Sequence, residues 1–418
     1  MDLKEYRSIA DALFCEARRQ GFDGVGISRD SYGEKESAAA ELLGAFAREA
    51  GLRVASDRAG NLVIGFPETP PDAPVIWCGS HLDSVPQGGN YDGLAGIIAG
   101  LLCLLDQQRS GRRSPIALQV LGLRGEESAW FGKAYVGSAA LLGQLDADDL
   151  ALKRRDNGET LDTCMEKAGA DMAAIRNQQM LFDPSRVRAF LELHIEQGPV
   201  MEARKLPVAV VSGIRGNIRH NNVQCLGEPG HSGAIPRWLR RDAMFAVADL
   251  IMRLDEHWSE LLERGTDLVV TTGMLSTNPA DHAVSRIPGL VKFSFEVRSK
   301  SIDTLEAFYQ LMRAECTAIS RERQVRFEFD RRLLSNPATM DPALCKLLSG
   351  ICATRGLAFE VIPSGAGHDA SMFANAGIPS GMVFVRNQNG SHNPEEAMDL
   401  DDFMLGVDVL NQAIHEIC

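Results

Sequence analysis

Three short stretches of this chain are apolar almost without interruption, and each runs into a histidine or an acid. They are "APVIWCGSH" (73–81), "SPIALQVLGLRGEE" (114–127) and "VRAFLELHIEQG" (187–198). A strand with one wet face alternates apolar and polar residues. Continuous runs belong to parallel strands covered on both faces. Between the first two lies an apolar helix, "LAGIIAGLLCLLDQQ" (94–108), and "SMFANAGIPSGMVFV" (371–385) reads as helix then strand. Further helices are predicted over 3–20 and 35–50, and a hairpin over 52–66 turns at Ala59-Gly60-Asn61. An amphipathic helix closes the chain over 400–417, with Asp401 or Asp402 as its expected cap. The whole is an α/β fold with a sheet covered on both faces.

Residues 213–332 break this pattern. They read strand (217–226), helix (241–264), strand (267–276), strand (290–299), helix (303–321), strand (324–331). That βαββαβ order is ferredoxin-like and α+β. It is expected to form a domain inserted into the first, whose parts are 1–212 and 333–418.

A net charge of −13 over 418 residues argues against a nucleic-acid partner, which needs clustered Lys and Arg. No apolar run reaches the ~18 residues of a membrane span. The N-terminus lacks a signal-like apolar block, and the nine cysteines are scattered without a CxxC pair. Reduced thiols in a cytoplasmic protein are the expectation.

Ligands in open α/β sheets bind beyond the carboxyl ends of the strands. Those ends carry His81 and Asp83, then Asp92 after a glycine-rich turn, the adjacent Glu126 and Glu127, His194, and later His392. One such residue alone is usually a hydrogen-bonded polar group. Several strand ends delivering imidazoles and carboxylates to one edge suit Zn²⁺, Mn²⁺, Co²⁺ or Ni²⁺, and a shared Asp makes a two-metal site. Asp83, two residues past a histidine ligand, is placed to orient that ring from behind.

The motifs "GSHLDSVPQGGNYDG", "RGEESAWFG", "LHIEQGPV", "GHSGAIP", "SGAGHDA" and "GSHNPEE" occur in that order between residues 78 and 396. They resemble the hydantoinase/carbamoylase branch of the M20 metallopeptidase superfamily, which includes N-carbamoyl-L-amino acid hydrolases, β-ureidopropionases, allantoate amidohydrolases and ureidoglycolate amidohydrolases. The resemblance implies an M20-type catalytic domain with a mixed sheet and an inserted lid that also dimerises. It implies two divalent metal ions, with Asp92 between them and His81, His392, Glu127 and His194 completing their shells. Glu126 would be the general base holding the water between the metals. His231 would reach the neighbouring subunit's active site and stabilise the oxyanion. The implied reaction is hydrolysis of the C–N bond of a linear ureido or N-carbamoyl acid. The alternative is an M20 aminoacylase or dipeptidase, and a third reading is a binding protein that has kept the fold.

Substrates of this branch carry a carboxylate, which the guanidinium fork of Arg298 in "FSFEVRSK" is expected to bind. Gln197 in "HIEQG" matches a substrate-side residue. Gly367 and His368 match the pocket wall, although His368 and Asp369 also read as a simple helix-capping pair. Two positions depart from the common pattern. Ser285 stands where the family usually has an Asn that helps hold the carboxylate. Arg219 adds a cation where many carbamoylases have an apolar residue, or is a solvated arginine on a lid strand. Both favour a polar ureido acid over a hydrophobic N-carbamoyl amino acid. Because Arg219, His231 and Arg298 lie in the insert, closure about hinges near Ser212-Gly213 and 331–335 is expected.

Overall fold

A computed structural model describes residues 3–417. The chain divides into two compact units. One runs to Ser212 and resumes at Thr339, and the other is Gly213–Ala338.

The first unit is built on a nine-stranded sheet. Its strands are β1 (Arg53–Ser56), β2 (Leu62–Gly65), β3 (Val75–His81), β4 (Ala117–Leu123), β5 (Val187–Ile195) and β6 (Val208–Ile214). After the insertion come β15 (Ala338–Thr339), β16 (Val361–Ser364) and β17 (Ser380–Val385), numbered in chain order. The order is β1-β2-β4-β3-β5-β17-β6-β15, with β16 also on β6. The four central strands β4, β3, β5 and β17 are parallel, while β2 and β6 join them antiparallel. The sheet is therefore mixed, and its parallel heart holds the apolar runs. All seven residues of β3 are buried.

Helix α1 (Leu3–Gly21), helix α2 (Glu34–Glu49), helix α3 (Leu94–Ser110) and the helix Leu400–Glu416 pack around this sheet. Residues Leu94 to Leu105 of α3 are all buried. That helix is apolar all round because the sheet covers one side and the C-terminal helix the other. Each fully buried leucine on it contributes roughly 2 kcal/mol of transfer free energy. The C-terminal helix starts at Leu400 as expected, but it is capped by an earlier residue than expected. Its cap is Asp399, whose carboxylate accepts the Asp401 N–H at 2.8 Å. Asp401 and Asp402, the expected caps, are in the first turn and pair with Arg7 and Arg386 instead.

The second unit has strands β7 (Gly216–Leu226), β8 (Gly230–His231), β9 (Val269–Thr271), β10 (Leu275–Ser276), β11 (Arg286–Ile287), β12 (Leu290–Ser299), β13 (Arg326–Glu328) and β14 (Leu333–Ser335). The six-stranded sheet runs β10-β12-β7-β13, with β9 also on β12 and β14 also on β7. Its pairings are antiparallel, which is the ferredoxin-like arrangement. The helices Ala243–Glu263 and Ile302–Arg323 cover one face and bury Ile218, Val223, Phe293, Phe295 and Val297. The expected strand over 267–276 is split, because the Met274 N–H donates to the Ser294 hydroxyl rather than to a ladder carbonyl. The return to the first unit also lies later than residue 332. Leu333, Leu334 and Ser335 pair with Arg219, Ile218 and Asn217, which keeps them in the inserted sheet.

Candidate metal centre

Parallel pairing brings the ends of the central strands to one edge. His81 sits opposite Leu123, so Arg124 to Glu127 follow beside it, and His194 sits opposite Phe384. After His81 the chain loops through "LDSVPQGGNYDG" and re-enters the edge at Asp92. Gly93 makes that return possible. Its φ of 70° and ψ of −53°, with the Leu94 N–H on the Asp92 carbonyl at 2.8 Å, form a γ-turn. A Cβ on Gly93 would lie 2.4 Å from His81 Nδ1.

His81, Asp92, His194, Glu126, Glu127 and His392 converge on one centre. Asp92 Oδ1 lies 3.3 Å from His81 Nε2 and 3.1 Å from His194 Nε2. Asp92 Oδ2 lies 3.4 Å from His392 Nε2, which is 3.2 Å from Glu127 Oε1. Of four groups among the described residues able to hold a metal ion, two, His81–Asp92–His194 and Asp92–Glu127–His392, share the Asp92 carboxylate.

The ligand atoms in the first group point at one another. His81 Nδ1 is 3.1 Å from the Asp83 carbonyl oxygen, and His194 Nδ1 is 2.9 Å from the Ile195 carbonyl oxygen. Carbonyls only accept, so both Nδ1 atoms carry a proton and the Nε2 atoms are the ones left to face a metal ion. Those Nε2 atoms are 3.4 Å apart. Asp92 Oδ1, between them, is buried with no hydrogen-bond donor. A buried acceptor left unpaired is costly, and a cation removes the cost. In the second group, hydrogen bonds from His392 to Asp92 and Glu127 push its pKa up to about 11, a measure of how strongly this spot favours positive charge. The residues present fit two divalent ions.

Asp83 does two things here. Its Oδ1 lies 3.4 Å from His81 Nδ1, whose nearer contact is the Asp83 backbone carbonyl at 3.1 Å. Its two oxygens also accept the N–H groups of Glu126 and Glu127, at 3.0 and 3.1 Å. Gly125 bends the chain just before them, at a φ of 63°. Glu127 thereby turns to His392, while Glu126 Oε2 stays 4.0 Å from His81 Nε2. Burial raises the Glu126 carboxyl well above the usual range despite the opposing field of His81. A carboxyl so raised is suited to exchanging protons.

The remaining expected site residues of this unit differ in placement. Gln197 donates its amide to Asp92 Oδ2 at 2.7 Å, so it grips the shared carboxylate. His368, expected in the pocket wall, is instead 1% exposed. Its Nε2 meets the Ser364 hydroxyl at 2.8 Å and its ring packs edge-on against His194, with centroids 4.3 Å apart. Burial, then His194, holds its pKa well below the usual imidazole value. It supports His194 from behind. Gly367 is only partly buried, and a Cβ there would strike the Tyr135 hydroxyl at 1.7 Å.

Four expected residues lie in the inserted unit. His231 is exposed on β8, and its Nδ1 accepts the Gly233 N–H at 3.1 Å, which leaves the proton on Nε2. Ser285 stands beside it, its carbonyl accepting the Ser232 N–H at 2.8 Å. Arg298 is half-buried and chelates Glu296 through two bonds of 3.0 Å. Arg219 is exposed directly across the ladder from Glu296. Arg219, Glu296 and Arg298 share the sheet face opposite the helices.

Sequence reasoning missed Glu396, whose Oε1 accepts the N–H groups of Tyr91 and Asp92 at 2.8 and 3.2 Å. Ser391 was missed too; its hydroxyl is 2.6 Å from Asp92 Oδ2. Arg29 is a fully buried guanidinium donating to the Leu82 carbonyl at 2.7 Å. The first two lie inside "GSHNPEE", so the motif flagged the segment. Nothing local marked Arg29.

The family model for peptidase family M20/M25/M40 matches residues 77–416. The chain is 35% identical to the N-carbamoyl-L-amino acid amidohydrolase of Geobacillus stearothermophilus over 394 residues, 94% of this chain and 93% of that one. It is 30% identical to the allantoate amidohydrolase of Escherichia coli (strain K12), covering 88% of this chain and 87% of that one. The crystal structure of an amidase of the hydantoinase/carbamoylase family from Burkholderia multivorans superposes with a TM-score of 0.87 at 27% identity, covering 99% of this chain and 97% of that one. The shared carboxylate, its flanking histidines and the bent pair of glutamates thus sit in a chain that belongs to the M20/M25/M40 peptidase family.

Proposed function

We propose that this protein is a metal-dependent amidohydrolase that cleaves the C–N bond of a linear ureido or N-carbamoyl acid. The observation that carries the reading is the pair of histidine–carboxylate groups sharing Asp92 beside the buried Glu126. The names of its relatives support the bond type, since they are N-carbamoyl-L-amino acid and allantoate amidohydrolases and a ureidoglycolate hydrolase. His81–Asp92–His194 and Asp92–Glu127–His392 would hold two divalent ions, Zn²⁺, Mn²⁺, Co²⁺ or Ni²⁺, which would supply a Lewis acid for the carbonyl and lower the pKa of water.

The chain's own residues do the rest. Glu126 takes a proton from water at its carboxylate and returns it to the leaving nitrogen. His231 donates its Nε2–H to the developing oxyanion, from a neighbouring subunit. Arg298, with Arg219 and Ser285, holds the substrate carboxylate, and Gln197 and Gly367 line the reacting end. Because Glu296 already chelates Arg298, an incoming carboxylate has to share or displace it. Ammonia leaves, with carbon dioxide where the cleaved group is a carbamoyl.

The inserted unit is the lid and the homodimer surface in this reading. Phe245 and Met252, seven residues apart on one helix, are 61% and 58% exposed, an apolar stripe that a second copy would cover. The eight described cysteines are all free thiols, which suits the cytoplasm. The test is a substrate panel on the Mn²⁺-loaded protein: N-carbamoyl amino acids, N-carbamoyl-β-alanine, allantoate, ureidoglycolate, N-acetyl amino acids and dipeptides. Ammonia from the ureido acids alone supports the proposal. Free amine without ammonia, from the acyl or peptide compounds, overturns it in favour of an aminoacylase or dipeptidase.

A further inference from the structure

The turn that carries the two glutamates is clamped on both sides. The carbonyls of Arg124, Gly125 and Glu126 accept the N–H groups of Gly137, Val136 and Tyr135, at 2.8, 2.8 and 3.0 Å. Its N–H groups go to side chains. Arg124 N–H donates to Asn61 Oδ1 at 2.9 Å, Gly125 N–H to Glu36 Oε1 at 2.9 Å, and those of Glu126 and Glu127 to Asp83. Glu36 comes from the first turn of α2, 89 residues upstream of Gly125, and is 0% exposed. Its other oxygen accepts the Tyr32 N–H at 2.7 Å and Arg124 Nη1 at 2.9 Å. Arg124 is itself buried.

Gly125 has no side chain to hold its φ of 63°, and this bend is what sends Glu126 and Glu127 in different directions. Its conformation is set by the bonds to its own N–H and C=O. We propose that Glu36 is a positioning residue for the proton transfer: by holding the Gly125 N–H it aims Glu126, without touching substrate. The inference rests on Glu126 being the general base.

Burial pushes the Glu36 carboxyl up to about 8 against the pull of Arg124, but three N–H donors converge on its two oxygens, so both oxygens must accept and a carboxylate is required. A glutamine offers one oxygen and, in place of the other, an NH₂ that would face a donor. Glu36→Gln therefore releases either Gly125 or the Tyr32–Arg124 pair, and leaves a buried guanidinium without its counter-charge. The double variant Glu36→Gln/Arg124→Met removes both charges and serves if the single variant folds poorly.

The experiment measures kcat, KM, bound metal per chain and melting temperature for both variants of the Mn²⁺-loaded enzyme. The expected result is a kcat lower by about 10–100-fold, the usual effect of losing an outer partner, with KM within about twofold and both metals retained. Leu348→Ala, in the helix Pro342–Thr354, gives a comparison of similar melting temperature with normal kcat. Wild-type kcat in either folded Glu36 variant, or a kcat loss matched by Leu348→Ala, overturns the proposal. Glu126→Gln is assayed alongside: if it keeps wild-type turnover, the general-base reading itself falls, and the fault lies there rather than with Glu36.

Discussion

Gly93→Ala tests how tightly the metal centre depends on one missing side chain. The γ-turn conformation at Gly93 is one that L-residues adopt at a cost of about 1–3 kcal/mol. The new methyl would also lie 2.4 Å from His81 Nδ1 and 2.5 Å from Cε1 and Cγ. Ordinary contact needs about 3.5–4.0 Å, so the imidazole has to retreat by about 1 Å. It has no room: the ring is 1% exposed and Nδ1 is bound to the Asp83 carbonyl. Overpacking of this kind adds about 1–3 kcal/mol. The sum is about 2–6 kcal/mol, and at roughly 2–4 °C per kcal/mol for a unit of this size the melting temperature falls by at least about 4 °C. Circular dichroism melts of the chelator-treated protein read this directly. A second consequence separates the two metal groups. His81 Nε2 swings away from Asp92 Oδ1, so affinity at His81–Asp92–His194 falls by about 10–100-fold. The Asp92–Glu127–His392 group does not include His81, whose ring the methyl displaces, and keeps its ion, which isothermal titration resolves as one weakened site. An apo melting temperature within about 2 °C of wild type, together with two unchanged binding steps, would refute the reasoning.

Other outcomes follow from the same geometry. Glu126→Gln lowers kcat by about 10²–10⁴-fold while metal analysis still finds both ions, because Glu126 is outside the two groups that share Asp92. Arg298→Ala raises KM for every carboxylate substrate; an unchanged KM across the panel places the clamp elsewhere. Hydrogen bonds to Asp92 and Glu127 raise the His392 pKa to about 11 in the metal-free protein, so at neutral pH a metal must expel its proton. Adding Zn²⁺ to apoprotein in weak buffer at neutral pH therefore releases acid, measured in a pH-stat, and His392→Ala releases about one proton fewer. Affinity rises with pH for the same reason, and a pH-independent affinity would contradict it.

Much of the fold was legible because burial on both faces leaves a direct trace in composition. The runs ending at His81 and His194 are continuous, and they became neighbouring parallel strands. The βαββαβ order of the insert is present, with an antiparallel sheet and two covering helices, although the strands expected over 267–276 and 324–331 are broken or shortened. What failed were edges. The cap at Asp399 and the late return at Ser335 depend on which side chains and strands compete for the same N–H groups, and a local reading does not weigh that competition. His368 stands at the N-cap of the helix Asp369–Asn375 and packs edge-on against His194, a contact that no local reading shows.

The sequence alone determined the α/β architecture, the inserted unit and the residues able to bind metal, since these follow from periodicity and from chemistry carried at strand ends. Only the tertiary structure decided the pairing: that Asp92 Oδ1 stands between His81 and His194 while Oδ2 faces His392, and that Asp83 and Glu36 hold the amides beneath the two glutamates. Apart from His81 and Asp92, those partners lie 43 or more residues apart in the chain. Nothing local specifies such contacts. They form because parallel strands in one register bring their carboxyl ends together, and because buried polar groups there must each find a partner.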